Sequence, residues 1–134
     1  MEKKPRVLVV DDEERFRRTL AKMLRAEGLT VAEAAGGEAA LRALAEAAPD
    51  VVMLDIRMPG MSGLEALEEI KRRAPLTEVI MLTGHASLDA ALEIMRRGGY
   101  DYVLKPCPLE ELLVKIESAF EKKMEREKIK ADLT

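Results

Sequence analysis

Three observations predict an α/β fold, a three-layer sandwich built around one parallel sheet. Five short, apolar, β-branched-rich runs alternate with five helical patterns along the 134 residues. The connections between them are short, so consecutive elements form βαβ units, whose right-handed crossovers place helices on both faces of a sheet. The first, third and fourth runs are almost wholly apolar, as expected of strands covered on both sides.

The first strand is read over Val7–Val10. The first helix shows Phe16, Leu20, Met23 and Leu24 at i, i+4, i+7 and i+8 with Arg and Lys between them, and Gly28 is its C-terminal stop. Thr30–Ala34 is the second strand; its Glu33 marks it as an edge. The second helix follows Gly36-Gly37 and buries Leu41 and Leu44. Val51–Leu54 is the third strand. The third helix follows Gly63 and carries Leu64, Leu67 and Ile70 before Pro75. Val79–Leu82 is the fourth strand. The fourth helix starts near Ser87, a good N-cap, and shows Leu88, Ala91, Leu92 and Met95 before Gly98-Gly99. Tyr102–Leu104 is the fifth strand. The fifth helix begins at Pro108, a favoured first helical residue, and carries Leu109, Leu112, Leu113, Ile116 and Phe120. Beyond Phe120 the sequence turns mostly charged, with Met124 and Ile129 the apolar residues of the stretch to Lys130. The expected organisation is therefore one domain over residues 1–120 and a charged extension of the fifth helix over 121–134, serving as a tail or a linker.

Composition narrows the function. Aromatic residues make up 3% of the chain and Trp is absent, which argues against stacking platforms for nucleic acid. The net charge is −3, so a broad basic surface is not expected, and direct nucleic-acid binding is not predicted. A single cysteine, Cys107, excludes an internal disulfide. The sequence has no apolar run near the length of a bilayer and no signal-peptide pattern, so membrane association is not expected and the cytoplasm is the expected location.

The informative polar residues stand where the strands end. Asp11 and Asp12 follow the first strand, Asp55 the third, Thr83 the fourth, and Lys105-Pro106 the fifth. In an open parallel sheet these ends share one edge, where ligands bind in the crevice. Three carboxylates, a hydroxyl and an ammonium would converge there. Clustered carboxylates repel one another, and an oxygen-only ligand set favours a hard cation, Mg²⁺ or Mn²⁺. A carboxylate can also attack phosphorus to give an acyl phosphate, which makes Asp55 the nucleophile candidate, with Lys105 and the metal neutralising the phosphoryl oxygens. Thr83 is placed to donate a hydroxyl to such a group. Lys105 precedes a proline, which pushes it to extended geometry and makes the Lys105–Pro106 bond a candidate for cis.

These residues and their order resemble the response-regulator receiver domains of two-component signalling, from about Arg6 to Phe120. The matching stretches are VLVVDDEERFR, VVMLDIRMPGMSGLEAL, VIMLTGHASLDAALEIMRRGGYDYVLKP and PLEELL; the third is most similar to receivers found ahead of ATPase-type transcription activators, or in stand-alone and hybrid-kinase proteins. The resemblance implies a flavodoxin-like sheet of order 2-1-3-4-5. It implies that Asp55 takes a phosphoryl group from a phosphohistidine on a histidine kinase or phosphotransfer protein. Asp12, Asp55 and the main-chain carbonyl of Arg57 would hold Mg²⁺, with Asp11 acting mainly through water. Lys105 would pair with the phosphoryl group, Thr83 would shift toward it, and Tyr102 would swing inward. That movement would remodel the face formed by helix 4, strand 5 and helix 5, where a partner or a second copy would dock. Arg57 and His85, each two residues past a site residue, would tune dephosphorylation. The chain would thus be a signalling phosphoacceptor, catalysing only its own phosphorylation and dephosphorylation. A phosphohydrolase of the haloacid-dehalogenase type would need an acid where Arg57 stands. A pseudo-receiver would lack site residues that are all present.

Overall fold

The computed structural model describes residues 3–85 and 87–134; Met1 and Glu2, the first residues of the expected domain, and Ala86 lie outside them. Five strands and five helices alternate: β1 (Arg6–Val10), α1 (Glu14–Ala26), β2 (Thr30–Ala34), α2 (Gly37–Ala47), β3 (Val51–Asp55), α3 (Gly63–Arg73), β4 (Glu78–Thr83), α4 (Leu88–Arg96), β5 (Asp101–Leu104) and α5 (Leu109–Leu133). The strands form one sheet in the order β2-β1-β3-β4-β5, with every pairing parallel. The flavodoxin-like order and the edge position expected for Thr30–Ala34 are thus both observed.

The two-residue period of the strands divides the core. Val7 and Val9 face α1 and α5 with Met53, Ile80, Leu82, Leu24 and Ile116. Leu8 and Val10 face α2, α3 and α4 with Val52, Leu54, Met81, Leu67, Ile70 and Ile94. Each such fully buried aliphatic side chain contributes about 1.5–3 kcal/mol relative to exposure. A core on both faces is what lets central strands be apolar throughout.

Local chemistry sets the helix ends. Gly28 has φ of +90°, and its N–H bonds to the Arg25 carbonyl while that of Leu29 bonds to the Leu24 carbonyl. This Schellman arrangement needs the left-handed backbone that glycine adopts without strain. Ser62 accepts from the Glu65 N–H and Ser87 from the Ala90 N–H, each at the start of its helix.

Some expectations need correction. Pro108 caps α5 from outside rather than opening its first turn. In α2 the fully buried side chain is Ala40, while Leu41 and Leu44 are half-buried against the second core. The apolar face expected for helix 4 does not meet the core: Leu88 is 75% exposed, Leu92 and Met95 are exposed too, and Ile94 is the residue that packs inward. This nine-residue helix covers the β5 side of the sheet, so only the side chains aimed at the sheet find partners.

Register brings the strand ends level. Val10 pairs with Ala34 and Leu54, Asp55 with Leu82, and Thr83 with Leu104. The opposite edge carries a second group of charges. Asp50, just before β3, accepts from the Arg6 N–H at 2.8 Å and from Lys123 Nζ at 2.7 Å. Glu78, which opens β4, is 2% exposed and meets Lys71 at 3.1 Å, Arg126 at 3.2 Å and Lys122 at 3.3 Å. The extension of α5 is therefore seated on the body at least as far as Arg126.

Candidate functional site

Asp11 lies one residue past β1 and is fully buried, Asp12 beside it is exposed, and Asp55 is the buried last residue of β3. β1 and β3 are neighbours although the chain visits β2 between them, so the crevice between their ends is where the connections diverge. One carboxylate oxygen from each of Asp11, Asp12 and Asp55 lies within 4.8 Å of the others. Lys105 Nζ sits 2.7 Å from Asp11 Oδ2 and 3.4 Å from Asp55 Oδ1. Its own N–H is fixed by the Thr83 carbonyl at 2.8 Å, and its bond to Pro106 is cis.

The electrostatics are unbalanced. Burial and then the neighbouring Asp11 charge push the Asp55 carboxyl above the ordinary carboxylate range; Lys105 and the Arg57 N–H oppose this and do not cancel it. Lys105 is itself disfavoured by burial, but its bond to Asp11 and the fields of Asp11 and Asp55 outweigh that and hold it above the usual lysine range. Three acids thus share one ammonium. The all-oxygen donor set, with an excess of negative charge that is costly to bury, fits a divalent cation of the Mg²⁺ type.

The other expected residues are distributed as follows. Thr83 is buried, with its hydroxyl donating to the His85 carbonyl at 3.0 Å and accepting from the His85 N–H at 3.2 Å. That hydroxyl is engaged with its own loop, not with Asp55. Arg57 and His85 expose their side chains, while the Arg57 N–H reaches the Asp55 carboxylate. Tyr102 is half-buried against the second core. Cys107 is half-buried beside the site, and burial followed by Glu111 raises its thiol, so it is no reactive thiolate.

Sequence reasoning missed three supports. Phe16 places its ring centroid 4.2 Å from Lys105 Nζ. Arg17 donates to the Asp11 carbonyl at 2.9 Å and pairs with Glu33 at 3.3 Å. Gly63 packs so closely that a Cβ there would overlap the Asp55 carbonyl oxygen and lie 2.6 Å from Ile56 Cα. The charge of Glu33 in an otherwise apolar strand was the available signal for Arg17.

Comparison with known proteins fits this geometry. The family model for the response regulator receiver domain matches residues 7–117. The chain belongs to that family. It is 43% identical over 113 residues to the DNA-binding transcriptional regulator NtrC of Escherichia coli strain K12, covering 84% of this chain and 24% of that one. Identity to the regulatory protein AtoC of the same strain is 40% over 116 residues, covering 87% and 25%. The receiver thus spans about a quarter of the length of these curated relatives. Among solved structures, NtrX from Brucella abortus, crystallised with ATP, superposes with a TM-score of 0.89 at 35% identity, over 96% of this chain and 29% of that one. The chemotaxis protein CheY4 of Vibrio cholerae superposes with 0.83 at 29% identity, over 87% and 99%.

Proposed function

We propose that this receiver is a Mg²⁺-dependent switch phosphorylated on Asp55. The observation that carries the reading is the Lys105 ammonium held between Asp11 and Asp55 beside a third carboxylate. The donor is a phosphohistidine on a histidine kinase or phosphotransfer protein. An Asp55 oxygen attacks phosphorus; the O–P bond forms as the P–N bond breaks, and that electron pair returns to the imidazole nitrogen. The metal would be held by Asp12, Asp55 and the Arg57 carbonyl, with Asp11 acting through water, and would neutralise the phosphoryl oxygens. Lys105 follows the charge from carboxylate to phosphoryl.

The new group adds roughly −1.5 to −2 charges and fresh acceptors. Thr83 can donate to it only by giving up the His85 carbonyl, which rearranges the β4–α4 loop. Tyr102 moves inward as that loop moves. The face read by partners is α4–β5–α5, where Leu88, Leu92 and Met95 of α4 and Leu104 of β5 are each exposed, and a second copy of the receiver is one such partner. The exposed Arg57 and His85 flank the approach of water to the acyl phosphate and set its lifetime. The residues after Phe120 serve as a tail or a linker, and the receiver works in the cytoplasm without contacting nucleic acid itself.

Incubation with radiolabelled acetyl phosphate and Mg²⁺ tests the reading. Label should appear on the wild type, vanish in Asp55→Asn and vanish on chelation of the metal. Label persisting on Asp55→Asn would show the nucleophile to be another residue. The Arg57→Ala protein should lose its phosphoryl group at a changed rate.

A further inference from the structure

The side chain on which the reaction depends most after Asp55 is a flexible one. Lysine has four rotatable carbons and a strongly hydrated head, so an ammonium at a rim has every entropic reason to swing into water. Lys105 is nevertheless held on its carboxylates. Two residues in the first turn of α1 bear on that. The Lys105 ammonium lies over the Phe16 ring with Nζ 4.2 Å from the centroid, while the same Nζ is 2.7 Å from Asp11 Oδ2 and 3.4 Å from Asp55 Oδ1. The ring is itself half-buried on the first core and lines, with Leu20, Pro106, Cys107 and Leu112, the small cavity on which the Lys105 stem lies. Next to it, Arg17 reaches the other way. It donates to the Asp11 carbonyl at 2.9 Å and is anchored by Glu33 on β2, which Arg25 also pairs.

We propose that Phe16 and Arg17 are positioning residues for phosphoryl transfer, Phe16 for the Lys105 ammonium and Arg17 for the main chain that carries Asp11 and Asp12. This rests on the reading of the site as a phosphoacceptor. An aromatic face attracts a cation through its quadrupole and, unlike an aliphatic chain of similar bulk, offers that attraction without a competing acceptor. The ring therefore orders the ammonium while leaving its protons free for Asp55 and for the incoming phosphoryl oxygens. Arg17 does a different job. Its hydrogen bonds go to Glu33 and the Asp11 carbonyl, and it fixes where the β1–α1 loop leaves the sheet. The two effects are separable: Phe16 governs the rate of transfer once metal is bound, and Arg17 governs how well the metal is held.

The test uses the full chain and a small donor, acetyl phosphate, so that docking of a protein donor on α1 does not enter. Phosphorylation rates at saturating Mg²⁺, and Mg²⁺ affinity by NMR titration, are compared for wild type, Phe16→Leu, Phe16→Tyr and Arg17→Gln. Phe16→Leu should phosphorylate roughly three- to thirty-fold more slowly with unchanged Mg²⁺ affinity, and Phe16→Tyr, which keeps the ring, should recover the wild-type rate. Arg17→Gln should bind Mg²⁺ more weakly and approach the wild-type rate when metal is saturating. In the wild type the ring must also shift the Lys105 ε-methylene resonances upfield, and Phe16→Leu must remove that shift. Equal rates in Phe16→Leu and wild type, or equal slowing in Phe16→Leu and Phe16→Tyr, would overturn the role of the ring; unchanged Mg²⁺ affinity in Arg17→Gln would overturn that of the arginine. If the wild type takes no label at all, the phosphoacceptor reading fails, whereas an absent ring-induced shift counts against the positioning geometry alone.

Discussion

The two edges of the sheet are built from the same kinds of side chain and end in opposite states. β3 and β4 run between them. At their C-terminal ends lie Asp55 and Thr83; at their N-terminal ends lie Asp50 and Glu78. The C-terminal edge gathers Asp11, Asp12 and Asp55 around one ammonium. The N-terminal edge gives Asp50 and Glu78 four cations, Lys71, Lys122, Lys123 and Arg126. One acid cluster is short of positive charge and the other is fully paired within the chain. A buried acid with all its partners fastens structure. A group of crowded acids, two of them buried, that lacks such partners stores repulsion that a ligand can relieve.

The largest expected effect comes from the ammonium that meets the carboxylates of the deficient edge. Lys105→Ala should slow phosphorylation of Asp55 by acetyl phosphate at least about a hundredfold, the scale for losing a group that meets developing charge. The matched change at the other edge, Lys123→Ala, should leave that rate unchanged and instead lower stability in a denaturant titration. If both variants transferred phosphate equally well, the two edges would not differ in kind.

Next in size is the packing that holds the deficient edge in shape. Gly63→Ala must push α3 away from the backbone of Asp55 and Ile56, and overpacking of this kind costs about 1–3 kcal/mol. Its urea midpoint should fall accordingly. A midpoint equal to that of the wild type would mean the α3 start is not wedged against β3.

A substitution of one type at both edges sharpens the comparison further. Asp50→Asn removes a buried charge bonded to Lys123 Nζ and to the Arg6 N–H, and should cost about 1.5–3 kcal/mol. Asp55→Asn, measured in chelator, removes one of three crowded acids and should raise the melting temperature. Adding Mg²⁺ at ten times its dissociation constant should stabilise the wild type by about 1.4 kcal/mol, and Asp55→Asn by less.

How much of this was legible follows from what periodicity can register. The strands were readable because burial on both faces leaves unbroken apolar runs, and the polar residues that end those runs marked the site; the strand order came from the family resemblance, not from periodicity. The seating of the α5 extension was not readable. Its inward face continues the spacing of Leu112, Ile116 and Phe120 through Lys123 and Arg126, with the side chains changed from apolar to cationic. Beyond Phe120 the apolar spacing offers only Met124, which is exposed, although the inward face continues. Conversely, Leu88, Leu92 and Met95 kept the spacing of a core face and are exposed, because spacing alone does not say which side of a short helix meets the sheet; here it is the side of Ile94. The contacts of Phe16, Arg17 and Gly63 with the site depend on tertiary geometry that spacing along the chain does not encode.

The smallest expected effect is a pH dependence with a definite sign. The folded protein holds the Asp55 carboxyl above its ordinary value of 3.8, through burial and the Asp11 charge. A carboxyl raised on folding contributes stability while protonated, fully below its unfolded pKa, and loses that contribution as pH rises through the folded value. At neutral pH, metal-free wild type therefore carries the cost of an ionised Asp55, and Asp55→Asn does not. The gap in melting temperature between them should be widest near pH 7 and close as pH falls toward 4. A gap for Asp55→Asn that held constant from pH 7 to 4 would mean that its carboxyl is no more strained than that of an exposed aspartate.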